Sequence, residues 1–212
     1  MNKSIACGLY HSVALKTDGT VECWGNNGNH QCDPVYKSFT NIGSVSCGEY
    51  HSVALSLDET LECGGANYLN QCDQVYKSFA NITSVACGKS HSVALRSDGN
   101  IECWGSDDYQ FDLVYKTFTN VIDVACGHYH SVALLDDGTL ECWGYGGDNQ
   151  FDEIYKTFTG VIDIACGKFH SVALKDDGTL ECWGNKRYNQ CDSVYKTFIN
   201  IRLPQNNDYL LK

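Results

Sequence analysis

The chain has only two prolines, one methionine and three arginines among 212 residues, and no apolar run approaches the roughly 20 residues needed to span a bilayer. Each shortage excludes something. So little proline, beside 20 glycines, excludes a collagen-like or proline-rich disordered chain. Basic residues are outnumbered, 15 Lys+Arg against 26 Asp+Glu, and the net charge of −11 repels phosphate backbones and anionic headgroups. Nucleic acid and membranes are therefore not expected as partners. The opening MNKSIACG lacks the apolar segment of a secretory signal, so the expected location is the cytoplasm or another intracellular compartment, with association with a virion as the alternative.

What the chain does have is repetition. HSVALKTDGTVECWG, residues 11 to 25, returns as HSVALSLDETLECGG from His51, HSVALRSDGNIECWG from His91, HSVALLDDGTLECWG from His130 and HSVALKDDGTLECWG from His170. Cys7, Cys47, Cys87, Cys126 and Cys166 fall in register, 40, 40, 39 and 40 residues apart, a period typical of repeat architectures. The missing residue lies around Ser106–Tyr109, because Cys103 to Tyr115 spans 12 positions where the other units have 13. One domain over residues 1-201 is expected, in units of about 5-44, 45-84, 85-123, 124-163 and 164-201, followed by a tail over 202-212.

Within a unit the periodicity is that of strands. Val13 and Leu15 alternate with Ser12 and Ala14, and Val21 and Cys23 with Glu22 and Trp24, a period of two. Asp18-Gly19 between them is a turn pair that tolerates positive φ, which makes a hairpin. A third strand leads in at SIACG and its counterparts, and a fourth is expected at VYKSF and its counterparts. One such sheet cannot bury both faces, so neighbouring copies must stack. Leading and trailing strands each occur five times. The expected fold is an all-β β-propeller of five blades of about 40 residues, its ring closed by the N-terminal strand.

The ordered run Gly8, His11-Ser12, Ala14-Leu15, Asp18-Gly19, Trp24-Gly25 and Gln31 resembles the repeat of the regulator of chromosome condensation family of β-propellers. The resemblance covers residues 4 to 201, and unit two departs from it, with Glu59 for the turn glycine and Gly64 for the tryptophan. Family repeats are usually longer and seven to a ring, which implies either a compact five-bladed ring or a partial ring that pairs with another chain. The founding member is a nucleotide exchange factor that also docks on chromatin, but this chain has neither a basic tail nor an insertion resembling the wedge used in exchange. A light-sensing plant relative carries Trp between the Cys-Gly and the His, where none of these five units does. A bacterial relative that inhibits β-lactamases serves purely as a binding surface.

The repeated Cys, His and Asp look reactive, but repetition argues against chemistry. Cys7-x3-His11 with Cys23 and Cys32 has a spacing that zinc accepts, yet units three and four replace the last cysteine by Phe111 and Phe151. A packing site tolerates that exchange and a ligand site does not, so neither a metal nor any other cofactor is expected. The 13 cysteines are odd in number and follow the repeat, so reduced, buried thiols are expected, with cross-strand disulfides of the Cys7 to Cys23 kind as the alternative. A thiol triad would be built once and not five times, so the chain is read as no enzyme, with no catalytic residue. His11, His51, His91, His130 and His170 are expected to bond backbone groups between blades, and Trp24, Trp104, Trp143 and Trp183 to anchor blade packing.

Function must then reside where the copies differ: the two residues after each Cys-Gly, the Asp-Gly turn, and the loop after Trp-Gly, NNGNH at 26–30 against YGGDN at 145–149. Tyr10, Glu49, Tyr50, Lys89, Tyr129, Lys168 and Phe169 are the expected partner-binding residues, the aromatic ones forming a ring on one face. The expected function is a non-enzymatic scaffold that binds another protein, as adaptor, inhibitor or structural component. The alternatives are an exchange-factor-like regulator of a small GTPase and a homo-oligomeric component of a viral particle.

Overall fold

The computed structural model describes residues 4–33, 38–106, 116–144, 153–191 and 201. Its strands form where the period of two places them. Blade one holds β1 (Ile5–Cys7), β2 (His11–Leu15) and β3 (Val21–Gly25), and blade two β4 (Ile42–Cys47), β5 (His51–Ser56) and β6 (Leu61–Gly65). Blade three holds β7 (Ile82–Cys87), β8 (His91–Arg96) and β9 (Ile101–Gly105), and blade four β10 (Val121–Cys126), β11 (His130–Leu135) and β12 (Leu140–Gly144). Blade five holds β13 (Val161–Cys166), β14 (His170–Lys175) and β15 (Leu180–Gly184). Every blade is a separate antiparallel sheet with strands in sequence order. The register repeats too, His11 opposite Gly25 and Val13 opposite Cys23, with the same pairs in the other four.

The Asp-Gly turns behave as expected, Gly19, Gly99, Gly138 and Gly178 having φ of 77 to 79°. Unit two forces Glu59 into the same left-handed turn at φ 67°, which costs a residue with a Cβ about 1–2 kcal/mol.

In units two and four, where it is described, the expected fourth strand is not a strand. Gln74–Ser78 and Glu153–Thr157 are 3-10 turns. Two aromatic rings three residues apart must face one neighbour: Tyr76 and Phe79 lie 6.3 and 5.6 Å from Trp104, and Tyr155 and Phe158 lie 6.4 and 5.6 Å from Trp183. Three residues per turn bring i and i+3 together, whereas a strand would put them on opposite faces. The start of the first copy (35–37) and of the third (114–115), the last copy, Tyr195–Phe198, and the tail over 202–212 lie outside the described residues, as does most of the shortened loop.

Blades two, three and four thus receive the tryptophan of the next blade. Four apolar clusters fill the four spaces between consecutive blades, built from the Val and Leu of one blade and the Ala and Trp of its successor. Blade two offers Gly64 where the others offer Trp, and the first cluster does without an indole. The innermost strands surround a channel with a cavity of about 460 Å³, into which Ser44, Ser84, Asp123 and Asp163 bring polar groups.

A backbone ladder ties the same junctions. The N–H of the residue after Cys-Gly donates to the carbonyl of its counterpart in the next blade: Leu9 to Glu49, Glu49 to Lys89 and Lys89 to His128 at 3.2 Å, and His128 to Lys168 at 3.0 Å. The junction between blade five and blade one is different. Ile5 is 71% exposed where Val45 is 1% and Val124 6%, and Trp24 is 54% exposed where Trp104, Trp143 and Trp183 are 1 to 3%. Val172 and Leu180 on blade five are partly exposed, although their counterparts in the other blades are buried. Among the described residues no bond leads from Lys168 back to Leu9. Among the described residues strand β1 pairs with β2 alone, as the innermost strand of its own blade.

Candidate functional site

The repeated histidines were expected to bond backbone groups. They bond side chains instead. His11 Nε2 lies 2.8 Å from Ser52 Oγ, His51 from Ser92 at 2.8 Å, His91 from Ser131 at 2.9 Å and His130 from Ser171 at 2.8 Å. In blades two, three and four the His-Ser dipeptide therefore faces both ways, its histidine toward the next blade and its serine toward the previous one. Ser52, Ser131 and Ser171 also contact Cys47, Cys126 and Cys166 of their own blades at 3.2 to 3.5 Å. The preceding glycine is required, because a Cβ on Gly8 or Gly127 would meet the imidazole at 2.1 to 2.2 Å and the next blade's glycine carbonyl at 2.6 to 2.7 Å. His170 and Ser12, the fifth such pair, make no bond to one another among the described residues.

Burial sets the chemistry of these His-Ser-Cys relays. Desolvation pushes His51 and His91 down to about 3 and His130 to about 4, so all three are neutral at physiological pH. It pushes the Cys47 and Cys166 thiols up to about 12 and Cys126 well above its ordinary value. A protonated thiol is not a nucleophile, and the serines of the four sealed junctions are at most 2% exposed. These groups hold blades together. Among the described residues no three His, Cys, Asp or Glu side chains converge as a metal-ligand set.

The cysteines correct the expectation of reduced thiols. Cys63–Cys72 and Cys182–Cys191 are disulfides between residues nine apart, and Cys23 and Cys32 bring their sulfurs to 2.6 Å. The alternative pairing, Cys7 with Cys23, does not occur, and both remain free. Each pair brackets the loop after the third strand of its blade; in blade two Gln71 is fully buried there, its Oε1 accepting from Leu69 N, and Asn67 Oδ1 accepts from Cys72 N. The loop's own carbonyl at Gln71 accepts the indole N–H of Trp104 at 2.9 Å. A loop read as a candidate for binding is thus partly a latch on the following blade; the copy at 145–149 lies outside the described residues.

The mouth of the channel gathers the variable residues. Leu9, Glu49, Lys89, His128 and Lys168, one from each blade, surround a cavity of about 430 Å³. His128 Nε2 donates to Glu49 Oε2 at 2.8 Å across the mouth, linking blades four and two. Burial lowers the His128 pKa more strongly than the Glu49 hydrogen bond raises it, which favours the neutral imidazole in this contact. Lys89 Nζ donates to Tyr129 Oη at 2.9 Å and lies 5.0 Å from the centre of that ring, and Lys168 Nζ lies 5.2 Å from that of Phe169. The expected aromatic ring is two pairs, Tyr10 with Tyr50 at 6.2 Å and Tyr129 with Phe169 at 6.4 Å, interrupted at the buried Ser90. All seven expected binding residues therefore lie at or beside the mouth. His128, absent from that set, completes the second pair by packing 4.3 Å from Tyr129 and 5.5 Å from Phe169.

Comparison with known proteins bears on the fold. The chain is similar in structure to human WBSCR16 at TM-score 0.68 and 22% identity, over 85% of this chain and 61% of that one. It is similar to Prp20p of Saccharomyces cerevisiae at 0.67 and 19%, over 95% and 60%, and to the CRINKLY ectodomain of the Arabidopsis thaliana receptor kinase ACR4 at 0.63 and 19%, over 85% and 64%. The chain thus spans less than two thirds of the length of each. No curated protein matches it by sequence. The model of the regulator of chromosome condensation (RCC1) repeat matches residues 3–31, 82–110, 121–150 and 161–190, passing over the unit in which Glu59 and Gly64 replace the consensus residues. With five three-stranded blades, the His-Ser junctions and more than half of its residues under that model, the chain belongs to the regulator of chromosome condensation (RCC1) repeat family.

Proposed function

We propose that this propeller is a non-enzymatic scaffold that binds a partner protein through the channel mouth. One observation carries the reading: the side chains that differ from blade to blade are gathered at the mouth, while the identical ones are spent on packing between blades. Tyr10 is 58% exposed beside Tyr50, an aromatic pair of the kind that anchors protein interfaces. Lys89 and Lys168 on the opposite side offer charge to an acidic or carbonyl-rich segment. The buried relays, with neutral imidazoles and protonated thiols, support the absence of catalysis.

Affinity capture with the intact protein beside a Tyr10→Ala, Tyr50→Ala, Phe169→Ala variant tests the proposal. Recovery of the partner is expected to fall by about tenfold or more, as loss of two or three interface anchors implies. Equal recovery of every partner by both proteins would contradict it. A second reading has one observation in its favour, the likeness to Prp20p, a protein described by its binding to Gsp1p and histones. Accelerated nucleotide release from a small GTPase would favour that exchange-factor reading over a passive scaffold.

A further inference from the structure

We propose that the open face of blade one docks on the open face of blade five of a second copy of this chain, making between molecules the junction that consecutive blades make within one. The two faces are halves of a contact the chain already builds four times. Blade one presents Ile5, Ala14 and Trp24, whose counterparts Val124, Ala133 and Trp143 are buried in the cluster between blades three and four. Blade five presents Val172 and Leu180, whose counterparts Val132 and Leu140 receive Trp183 in the next cluster.

The polar halves match as well. Blade five offers His170 and the N–H of Lys168, and blade one offers Ser12 Oγ and the carbonyl of Leu9, four groups that make no inter-blade bond among the described residues. At Gly127 the Gly167 carbonyl approaches to 2.7 Å of a Cβ position, as its counterparts do at the preceding blades, whereas the three nearest atoms at Gly167 all belong to its own His170. A second copy supplies the missing partner for every one of these groups in the right order, which an unrelated apolar segment would not. Because the two faces differ, the contact is head-to-tail, and each added copy replaces the face it covers with an identical free one. Assembly should therefore grow with concentration and not stop at a dimer.

Complementary caps test this. Mass in solution is measured over a wide concentration range for the intact chain, for Trp24→Asp, which disables the blade-one face, and for Val172→Asp, which disables the blade-five face. The intact chain is expected to rise from 23.5 kDa with concentration, and each variant alone to stay at that mass. Mixed in equal amounts, the variants keep one good face each and should form a complex of two chains and nothing larger. Circular dichroism checks that each variant folds, and Ile5→Asp with Leu180→Asp serves as a second pair. An intact chain that remains a single copy at every concentration overturns the proposal. So do folded variants that still self-associate, or that fail to pair when mixed. Capture of a protein partner is read separately, since the mouth residues of the proposed function remain unaltered in all four variants.

Discussion

Trp104→Ala is expected to lower the free energy of unfolding by about 3–5 kcal/mol, while Trp24→Ala, the same change at the equivalent position of blade one, should cost under about 1 kcal/mol. Trp104 is 3% exposed, touches Tyr76 and Phe79, and donates its indole N–H to the Gln71 carbonyl. Truncation leaves a cavity between blades two and three and orphans that carbonyl. Trp24 is 54% exposed and leaves no comparable void. Urea unfolding of the two variants beside the intact protein measures the difference. Equal losses would mean that Trp24 is buried by a fifth junction, and equal small losses that the indoles do not hold the blades.

Acid should be unusually damaging to this fold. His51 and His91 are pushed down to about 3 and His130 to about 4, chiefly by desolvation, and each returns to roughly 6.5 when the chain unfolds. Between those values the unfolded chain binds protons that the folded chain refuses. The stability these three contribute is complete above pH ~6.5 and drains as pH falls toward 4, by about 1.4 kcal/mol per pH unit for each and about 4 kcal/mol per unit together. The turn carboxylates Asp18, Asp98, Asp137 and Asp177 are all shifted below 3.8 by bonds to the residue two positions on, so they stay charged across this window. Unfolding midpoints at pH 7 and pH 5 check the slope, and His91→Gln should reduce it by about a third. A stability that is flat across that interval would show the histidines to be exposed or already charged.

Much of this architecture is legible in the sequence because the hairpin carries its own periodicity and five copies repeat it. Alternation in HSVAL and the Asp-Gly turn place strands and turns to within a residue. The YK[ST]F segment misleads because β-favouring aromatics are read by type, whereas their separation of three is the informative feature: Tyr76 and Phe79 need the same face. The histidine partner is hidden for a different reason. His and Ser are neighbours in sequence, yet the bond joins His11 to Ser52, forty-one positions away, and only a packed pair of blades brings them together. The Cys63–Cys72 pairing depends on a loop turned by Asn70 at φ 61°, which strand patterns do not register. At the mouth, the seven expected residues share one region because they sit at the repeat positions where the copies disagree, and His128, which occupies the same position as Glu49 and Lys89, lies there by the same rule.

Four junctions between consecutive blades are sealed, whereas among the described residues blade five and blade one make none, and tryptophan accessibility distinguishes them most directly. Acrylamide quenching of the intact protein, diluted until it is a single copy, should reveal one accessible indole among four, and Trp24→Phe should abolish that accessible class while leaving the shielded three unchanged. Uniform shielding of all four indoles, with no class lost in the variant, would mean that blade five closes on blade one and would contradict the account.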